Sequence, residues 1–315
     1  MPNAHAPIAF AAADSGSKNW LTQLQAAMPD EQIIALGDMS IEQRKSATIA
    51  IVANPPAAAF KHLPNLNWVH SLWAGIDALV PIAQAQQFTL TRLLDPNLAN
   101  TMAEAVLAWS LYLSRSMPEY QQQQTVRRWQ ELPYLPAAEW RVSVLGFGQL
   151  GLAASERLQA NGFSVRAWSR TQNQHPSMKC YQGLDGLDQL LPETDILVCL
   201  LPLTDATRGL LNAERLAQLP PAASLINFAR GPIVVAEDLL NALRGNQLRH
   251  AVLDVFDSEP LPNDSPLWEM ANVTVLPHCS APTQADSAVA LAARYVAQFR
   301  ANHNTPDPVD LTQGY

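Results

Sequence analysis

Val142-Ser143-Val144-Leu145-Gly146-Phe147-Gly148-Gln149-Leu150-Gly151 is the stretch on which the reading of this chain turns. A β-branched and apolar run enters a G-x-G-x-x-G turn. Residues 152–159 read as a helix. A second apolar run, 163–168, follows and ends in Ser169-Arg170. Each glycine has a physical task in such a turn: Gly146 permits the tight bend, Gly148 lets backbone approach a pyrophosphate, and Gly151 lets the helix pack close. The first peptide groups of the helix, Gln149 and Leu150 among them, would offer free N–H groups and a positive dipole end to phosphates. The spacing predicts a dinucleotide-binding βαβ unit. A glycine-rich turn in some other α/β domain is the alternative.

Bulk properties narrow the field. At 315 residues the chain is long enough for two domains. Hydrophobic residues make up 48%, so a sizeable core is expected, and charged residues only 15%, with a formal net charge of −8. No basic cluster stands out, and Arg127-Arg128 reads as a solvated pair, so nucleic acid is not expected as a partner. Cys180, Cys199 and Cys279 are widely spaced and form no CxxC pair, which argues against a disulfide framework and a structural zinc site; no metal is expected. The N-terminus lacks a basic, signal-like segment, and no uninterrupted apolar stretch reaches membrane-spanning length. The expectation is a soluble, cytoplasmic protein with no membrane partner.

Short strands are expected at 8–12, 33–36, 48–52 and 68–72, with a helix at 19–28, forming a small α/β unit without a phosphate-binding turn of its own. Residues 101–114 read as a helix whose one charge is Glu104; a helix so apolar is buried within the chain or against another chain. The glutamine run that follows, between Tyr120 and Trp129, reads as a polar helix face or an arm across a partner. From Arg141 a regular βα alternation predicts six strands, at 142–145, 164–168, 196–200, 224–227, 250–254 and 273–275, hence a doubly wound parallel sheet. A last helix is expected over 283–301.

Ligands of such a sheet lie beyond the carboxyl ends of the strands. After the second strand comes Ser169-Arg170, and no Asp or Glu occurs between Glu156 and Asp185. A ribose 2′-hydroxyl calls for a carboxylate there, whereas a 2′-phosphate suits a hydroxyl and a guanidinium. The residues therefore favour NADP(H), with NAD(H) still possible. Arg170 as a surface arginine stacking on adenine is the other reading. After the third strand, Leu201, Pro202 and Thr207 would flank the nicotinamide ribose, or simply build a βα loop. Arg230, Glu259 and His278 follow three successive strands. Singly, each has a bland reading as a surface ion pair, a solvated acid or a satisfied turn histidine. Together they are chemically complementary.

Asn227-Phe-Ala-Arg230-Gly231-Pro-Ile-Val, Leu253-Asp-Val-Phe-Asp-Ser-Glu259-Pro-Leu-Pro and Pro277-His278, with the glycine turn, resemble the D-isomer-specific 2-hydroxyacid dehydrogenase family over most of the chain. Trp168-Ser-Arg-Thr171, Ala50-Ile-Val-Ala-Asn-Pro-Pro56 and Ser265-Pro-Leu-Trp268 resemble its glyoxylate/hydroxypyruvate reductase branch. The resemblance implies a flavodoxin-like α/β substrate domain (1–99 plus 286–315), a Rossmann cofactor domain (100–285) and a homodimer. It implies a catalytic set of Arg230, Glu259 and His278, acting on small 2-keto acids. His278 would protonate the carbonyl oxygen, Glu259 would favour its imidazolium, and Arg230 would clamp the substrate carboxylate. It implies a substrate loop at 72–77, with Trp73, Ala74 and Gly75 in contact, and further cofactor contacts from Ala229, Asp254, His278 and Ser280.

Three departures stand out. Trp73 replaces the first glycine of the usual Gly-Ala-Gly; facing the cleft it would narrow it, facing the core it would change nothing. Gln172 and Asn173 replace basic residues, which loosens the expected phosphate grip. Cys279-Ser-Ala-Pro282 replaces small apolar residues. A phosphoglycerate dehydrogenase would want basic residues in the substrate loop. A formate dehydrogenase would not need the Glu259–His278 pair. A non-catalytic dinucleotide-sensing regulator should tolerate loss of the triad.

Overall fold

The computed structural model describes residues 5–13, 17–171 and 174–315. The substitutions Gln172 and Asn173 noted above therefore lie outside the described residues, as do Met1 to Ala4. The chain divides into two units: the described residues up to Asn97 with Thr283–Tyr315, and Leu98–Pro282. The division falls in the first turn of the helix Pro96–Ser114, whose second residue, Asn97, donates its N–H to the Asp95 carboxylate at 2.9 Å.

The first unit holds a parallel sheet of β1 (Ile8–Ala12), β2 (Ile33–Ala35), β3 (Ile49–Ala53), β4 (Trp68–Ser71) and β5 (Thr89–Thr91), in the order β2-β1-β3-β4-β5. That order is flavodoxin-like. Parallel strands are covered on both faces, so they read as unbroken apolar runs, and every residue of β3 is buried. The edge strand β5 is three residues long and contains two threonines, and the sequence reading passed over it. The C-terminal chain returns to this sheet, where the Val309 N–H donates to the Leu90 carbonyl at 2.8 Å.

The second unit holds β6 (Arg141–Leu145), β7 (Ser164–Ser169), β8 (Lys179–Gln182), β9 (Ile196–Cys199), β10 (Ala223–Asn227), β11 (Leu248–Leu253) and β12 (Val273–Val275), all parallel, in the order β12-β11-β10-β9-β6-β7-β8. The chain winds one way from β6 to β8, then crosses back and winds the other way from β9. This is the Rossmann topology, and its reversal lies between β6 and β9. Seven strands are found where six were expected; the added one, β8, is a largely polar edge strand. Pleating sends alternate side chains to opposite faces. Val142, Val144, Val198, Ile226 and Val252 meet Met102, Val106, Ala154 and Leu158 from the helices Pro96–Ser114 and Gln149–Ala160. Leu145, Leu197, Leu225 and Leu253 meet Leu187, Leu216, Leu239 and Leu243 on the other face. Each such burial is worth about 1.5–3 kcal/mol, so the strand ends around the site rest on a rigid, two-faced core. No helix of the described residues is long and apolar enough to cross a membrane.

Candidate active site

The glycine turn leaves β6 at Leu145. Gly146 takes φ +98°, and a Cβ there would meet the Leu200 carbonyl oxygen at 2.8 Å, so the turn packs against the first residue beyond β9. A Cβ on Gly151 would lie 1.7 Å from the Gly146 carbonyl oxygen: the helix Gln149–Ala160 packs onto the turn itself. A Cβ on Gly148 would meet nothing within 4 Å. The close packing is thus at two glycines and the open space beside the third. The first turn of this helix carries no acidic residue, so nothing in it opposes an anion at its positive end.

At the end of β7, Ser169 is buried and its hydroxyl donates to the Thr171 carbonyl at 2.6 Å, while Arg170 is exposed. Beyond β9 the Leu201 side chain joins the core. The Thr207 hydroxyl is engaged by its own loop, donating to the Pro202 carbonyl at 2.7 Å and accepting from the Thr204 N–H at 2.8 Å. Leu201, Pro202 and Thr207 thus shape the rim beside the turn.

The three strand ends that follow carry the candidate chemistry. Asn227, the last residue of β10, accepts from the Ala229 N–H and donates to the Arg230 carbonyl, both at 3.2 Å, which folds the Arg230 turn. The Arg230 guanidinium donates to the Ala229 carbonyl at 2.7 Å. A Cβ on the next residue, Gly231, would lie 2.1 Å from the Phe256 carbonyl carbon. Only a glycine lets the arginine turn lie so close to the loop after β11.

In that loop Glu259 is held at both oxygens: one accepts from the Phe256 N–H at 3.0 Å and the other from His278 Nδ1 at 2.7 Å. A carboxylate only accepts, so this bond places a proton on Nδ1 and leaves Nε2 as the exchanging nitrogen. His278 itself adopts φ +51°, a left-handed conformation costly for a side chain of this size. The two residues after it are pinned by Asp254, which is 2% exposed and accepts from the Cys279 N–H at 2.7 Å and the Ser280 N–H at 3.0 Å. Ser280 is 9% exposed and its hydroxyl oxygen has no partner among the described residues. Burial, first, and the Asp254 carboxylate, second, push the Cys279 thiol up, so it is not a ready thiolate.

The structure therefore joins Glu259 to His278 and ties the histidine loop to Asp254, with Arg230 on the strand end beside them. Trp73, Ala74 and Gly75 lie half-buried on the loop after β4, in the other unit. Sequence reasoning missed Asn227 and Gly231 as organisers and gave Asp254 to the cofactor alone. Of these only Gly231 carried a local signal, a glycine following the arginine.

Residues 107–280 match the model of the D-isomer specific 2-hydroxyacid dehydrogenase NAD-binding domain. Glyoxylate/hydroxypyruvate reductase A of Salmonella paratyphi B is 34% identical over 302 residues, 94% of this chain and 96% of that protein. Among solved structures, a D-isomer specific 2-hydroxyacid dehydrogenase from Xanthobacter autotrophicus Py2, crystallised with NADPH and MES, is 40% identical with a TM-score of 0.92, covering 99% of this chain and all of that one. The NADPH-dependent glyoxylate/hydroxypyruvate reductase SmGhrA of Sinorhizobium meliloti, in complex with NADP and sulfate, is 31% identical with a TM-score of 0.91, covering 98% of this chain and all of that one. Matched by a model over more than half its length and by relatives over nearly all of it, the chain belongs to the D-isomer specific 2-hydroxyacid dehydrogenase family of oxidoreductases.

Proposed function

We propose that this chain reduces small 2-keto acids, glyoxylate and hydroxypyruvate among them, to 2-hydroxy acids with NADPH, and uses NADH less well. The observation that carries the reading is the Glu259–His278 bond of 2.7 Å at the strand ends of a domain matching the family's NAD-binding model. The residues fit the cofactor. Open space lies beside Gly148, the helix start carries no acid, and Ser280 keeps a buried hydroxyl without a partner among the described residues. The backbone of Gly146, Gly148, Gln149, Leu150 and Gly151 would hold the pyrophosphate. Ser169 and Arg170 would hold the 2′-phosphate. Leu201, Pro202, Thr207, Ala229, Asp254, His278 and Ser280 would border the remainder. Bound there, the reduced nicotinamide supplies the hydride.

This chain's own residues do the rest. Arg230 binds the substrate carboxylate and orients the carbonyl. His278 delivers its Nε2 proton to the carbonyl oxygen as charge builds there, and Glu259 stabilises the charged ring and fixes its orientation. The exposed apolar arm after the helix Pro96–Ser114, with Val126, Trp129 and Tyr134, supports a homodimer, with the enzyme working in the cytoplasm.

The test follows cofactor oxidation with glyoxylate, hydroxypyruvate and pyruvate, each with NADPH and NADH. His278→Ala should lose about 10²–10⁴ in turnover while still binding NADPH; near-normal kcat ends the assignment. Arg230→Ala should raise KM for the keto acid. Arg170→Ala should raise KM for NADPH and leave that for NADH; equal effects on both remove the phosphate role. Light scattering reads the dimer.

A further inference from the structure

The connection that leaves β7 is fastened at its far end by a histidine. At the near end the Ser169 hydroxyl donates to the Thr171 carbonyl at 2.6 Å. Towards β8, His175 forms an isolated antiparallel bridge with Met178, whose side chain lies in the core. The Ser177 N–H donates to His175 Nδ1 at 3.3 Å. Nδ1 is thus an acceptor, and the proton of the neutral ring lies on Nε2, 3.7 Å from Glu156 Oε1 on the helix Gln149–Ala160. Gln159 of the same helix accepts from the Ser177 hydroxyl at 3.2 Å and donates to the Ser177 carbonyl at 2.9 Å. The imidazole, 16% exposed, meets the Phe147 ring edge-on, with centroids 6.1 Å apart and planes at 84°.

Phe147 is the residue between Gly146 and Gly148. One imidazole therefore ties the β7 connection to the glycine turn and to the helix that leaves it, all within the second unit. These segments are assigned above to different parts of the dinucleotide, the glycine turn to the pyrophosphate and Ser169 with Arg170 to the 2′-phosphate. The glycine turn has its own supports: the Gly146 N–H donates to the Trp168 carbonyl at 2.9 Å, and Gly151 packs on the Gly146 carbonyl. The β7 connection has more to lose. Arg170 is exposed on a long, rotamer-rich side chain, and Gln172 and Asn173 bring no charge. The grip on a 2′-phosphate then depends on where the backbone holds Ser169 and Arg170, and a fixed far end holds it better.

We infer that His175 is a positioning residue for cofactor choice: clamped between Phe147, Glu156 and Ser177, it sets the β7 connection so that Ser169 and Arg170 meet a 2′-phosphate. This rests on the reading of Ser169 and Arg170 as the 2′-phosphate site. Specificity is a difference of affinities. NADPH and NADH share the pyrophosphate and differ at the 2′ position, so loosening the β7 connection should weaken the first cofactor and spare the second. Removing the clamp loses about one hydrogen bond's worth of order, roughly a three- to tenfold effect.

The experiment measures binding of adenosine 2′,5′-bisphosphate and of 5′-AMP by calorimetry, in the wild-type protein and in His175→Ala, and then KM and kcat with NADPH and NADH. The wild type should prefer the bisphosphate. His175→Ala should weaken the bisphosphate by about three- to tenfold and leave 5′-AMP unchanged. KM for NADPH should rise by the same factor, while KM for NADH and both kcat values hold. An unchanged ratio of the two nucleotides overturns the inference. So does a variant that weakens both equally, which makes His175 a support of the glycine turn alone. If His175→Ala melts early, Ser177→Ala, which removes the hydroxyl between His175 and Gln159, is read in its place, and an unmoved ratio there overturns the inference as well. A wild type that binds both nucleotides equally refutes the 2′-phosphate site itself, and this inference with it. A wild type that prefers the bisphosphate, with a variant that keeps the preference, refutes the inference alone.

Discussion

Asp254→Asn tests whether the active-site histidine is placed by its own loop or by what lies across it. His278 sits at φ +51°, which costs a non-glycine residue about 1–2 kcal/mol, and the restraint opposing that cost is the Asp254 carboxylate, accepting from Cys279 and Ser280 at 2.7 and 3.0 Å. Asparagine keeps one acceptor and turns an NH2 group towards the other N–H. One hydrogen bond to a charged acceptor is lost, about 1.5–3 kcal/mol, and two donors face each other. A loss of about 2 kcal/mol shifts the balance against the left-handed conformation roughly 30-fold, so kcat should fall by up to that factor. The assay is steady-state reduction at saturating NADPH and keto acid, with NADPH affinity read separately by fluorescence and stability by urea unfolding. A wild-type kcat would falsify the positioning role. So would a loss of activity fully recovered by raising NADPH, which would leave Asp254 a cofactor contact only.

Gly231→Ala places a methyl group 2.1 Å from the Phe256 carbonyl carbon, so the arginine turn and the glutamate loop must separate; we expect a destabilisation of about 1–3 kcal/mol and a drop in kcat, and an unaltered kcat argues that the two loops need not touch. Gly148→Ala and Gly151→Ala should part company: the first meets nothing within 4 Å and should melt normally while binding NADPH more weakly, whereas the second meets the Gly146 carbonyl oxygen at 1.7 Å and should unfold the turn. Acid should destabilise the fold early. Burial pushes the His70 imidazole down to about 4, and burial together with the neighbouring Arg249 does the same to His250. Below about pH 6.5 the unfolded chain binds these protons and the folded chain does not, so stability is full above that pH, declines as pH falls, and levels off near 4. Each histidine accounts for about 3 kcal/mol at most; a urea midpoint flat from pH 7.5 to 5 contradicts this.

The fold was legible where burial is two-sided. The central strands β3, β6, β9 and β10 are apolar runs because helices cover both their faces, and the expected spans fall within a residue of those found. Edge strands escaped: β5 is Thr89–Thr91 and β8 is Lys179–Gln182, and neither looks like a core segment because neither is one. The helix expected from residue 101 begins at Pro96, although Asp95-Pro96 is a legible start signal, a capping acid before a proline. Of the candidate site, the Glu259–His278 pairing could be anticipated because charge complementarity between strand ends is a one-dimensional signal. The restraint by Asp254 and the close approach at Gly231 could not, since each depends on which backbone the parallel register brings alongside, and the local turn built by Asn227 passed unread. Trp73, left open between cleft and core, packs on Trp20.

That register is also the reason the site can be rigid without a dedicated framework. Leu276 N–H donates to the Leu253 carbonyl at 2.8 Å, and Asp254 N–H to the Asn227 carbonyl at 3.1 Å, so the sheet ladder continues one residue past each strand before the chain breaks into its loop. Asn227 then organises the arginine turn, Asp254 the histidine loop, and Phe256 the glutamate, each through a main-chain bond. The histidine loop is thus held from the neighbouring strand end, Arg230 and Glu259 each by a residue of its own turn, and the Glu259–His278 bond joins two of the three functional side chains. It follows that truncating His278 or Arg230 should leave the remaining geometry standing and remove chemistry alone, whereas changing Asn227 or Asp254 should disturb the placement of a residue that is itself intact.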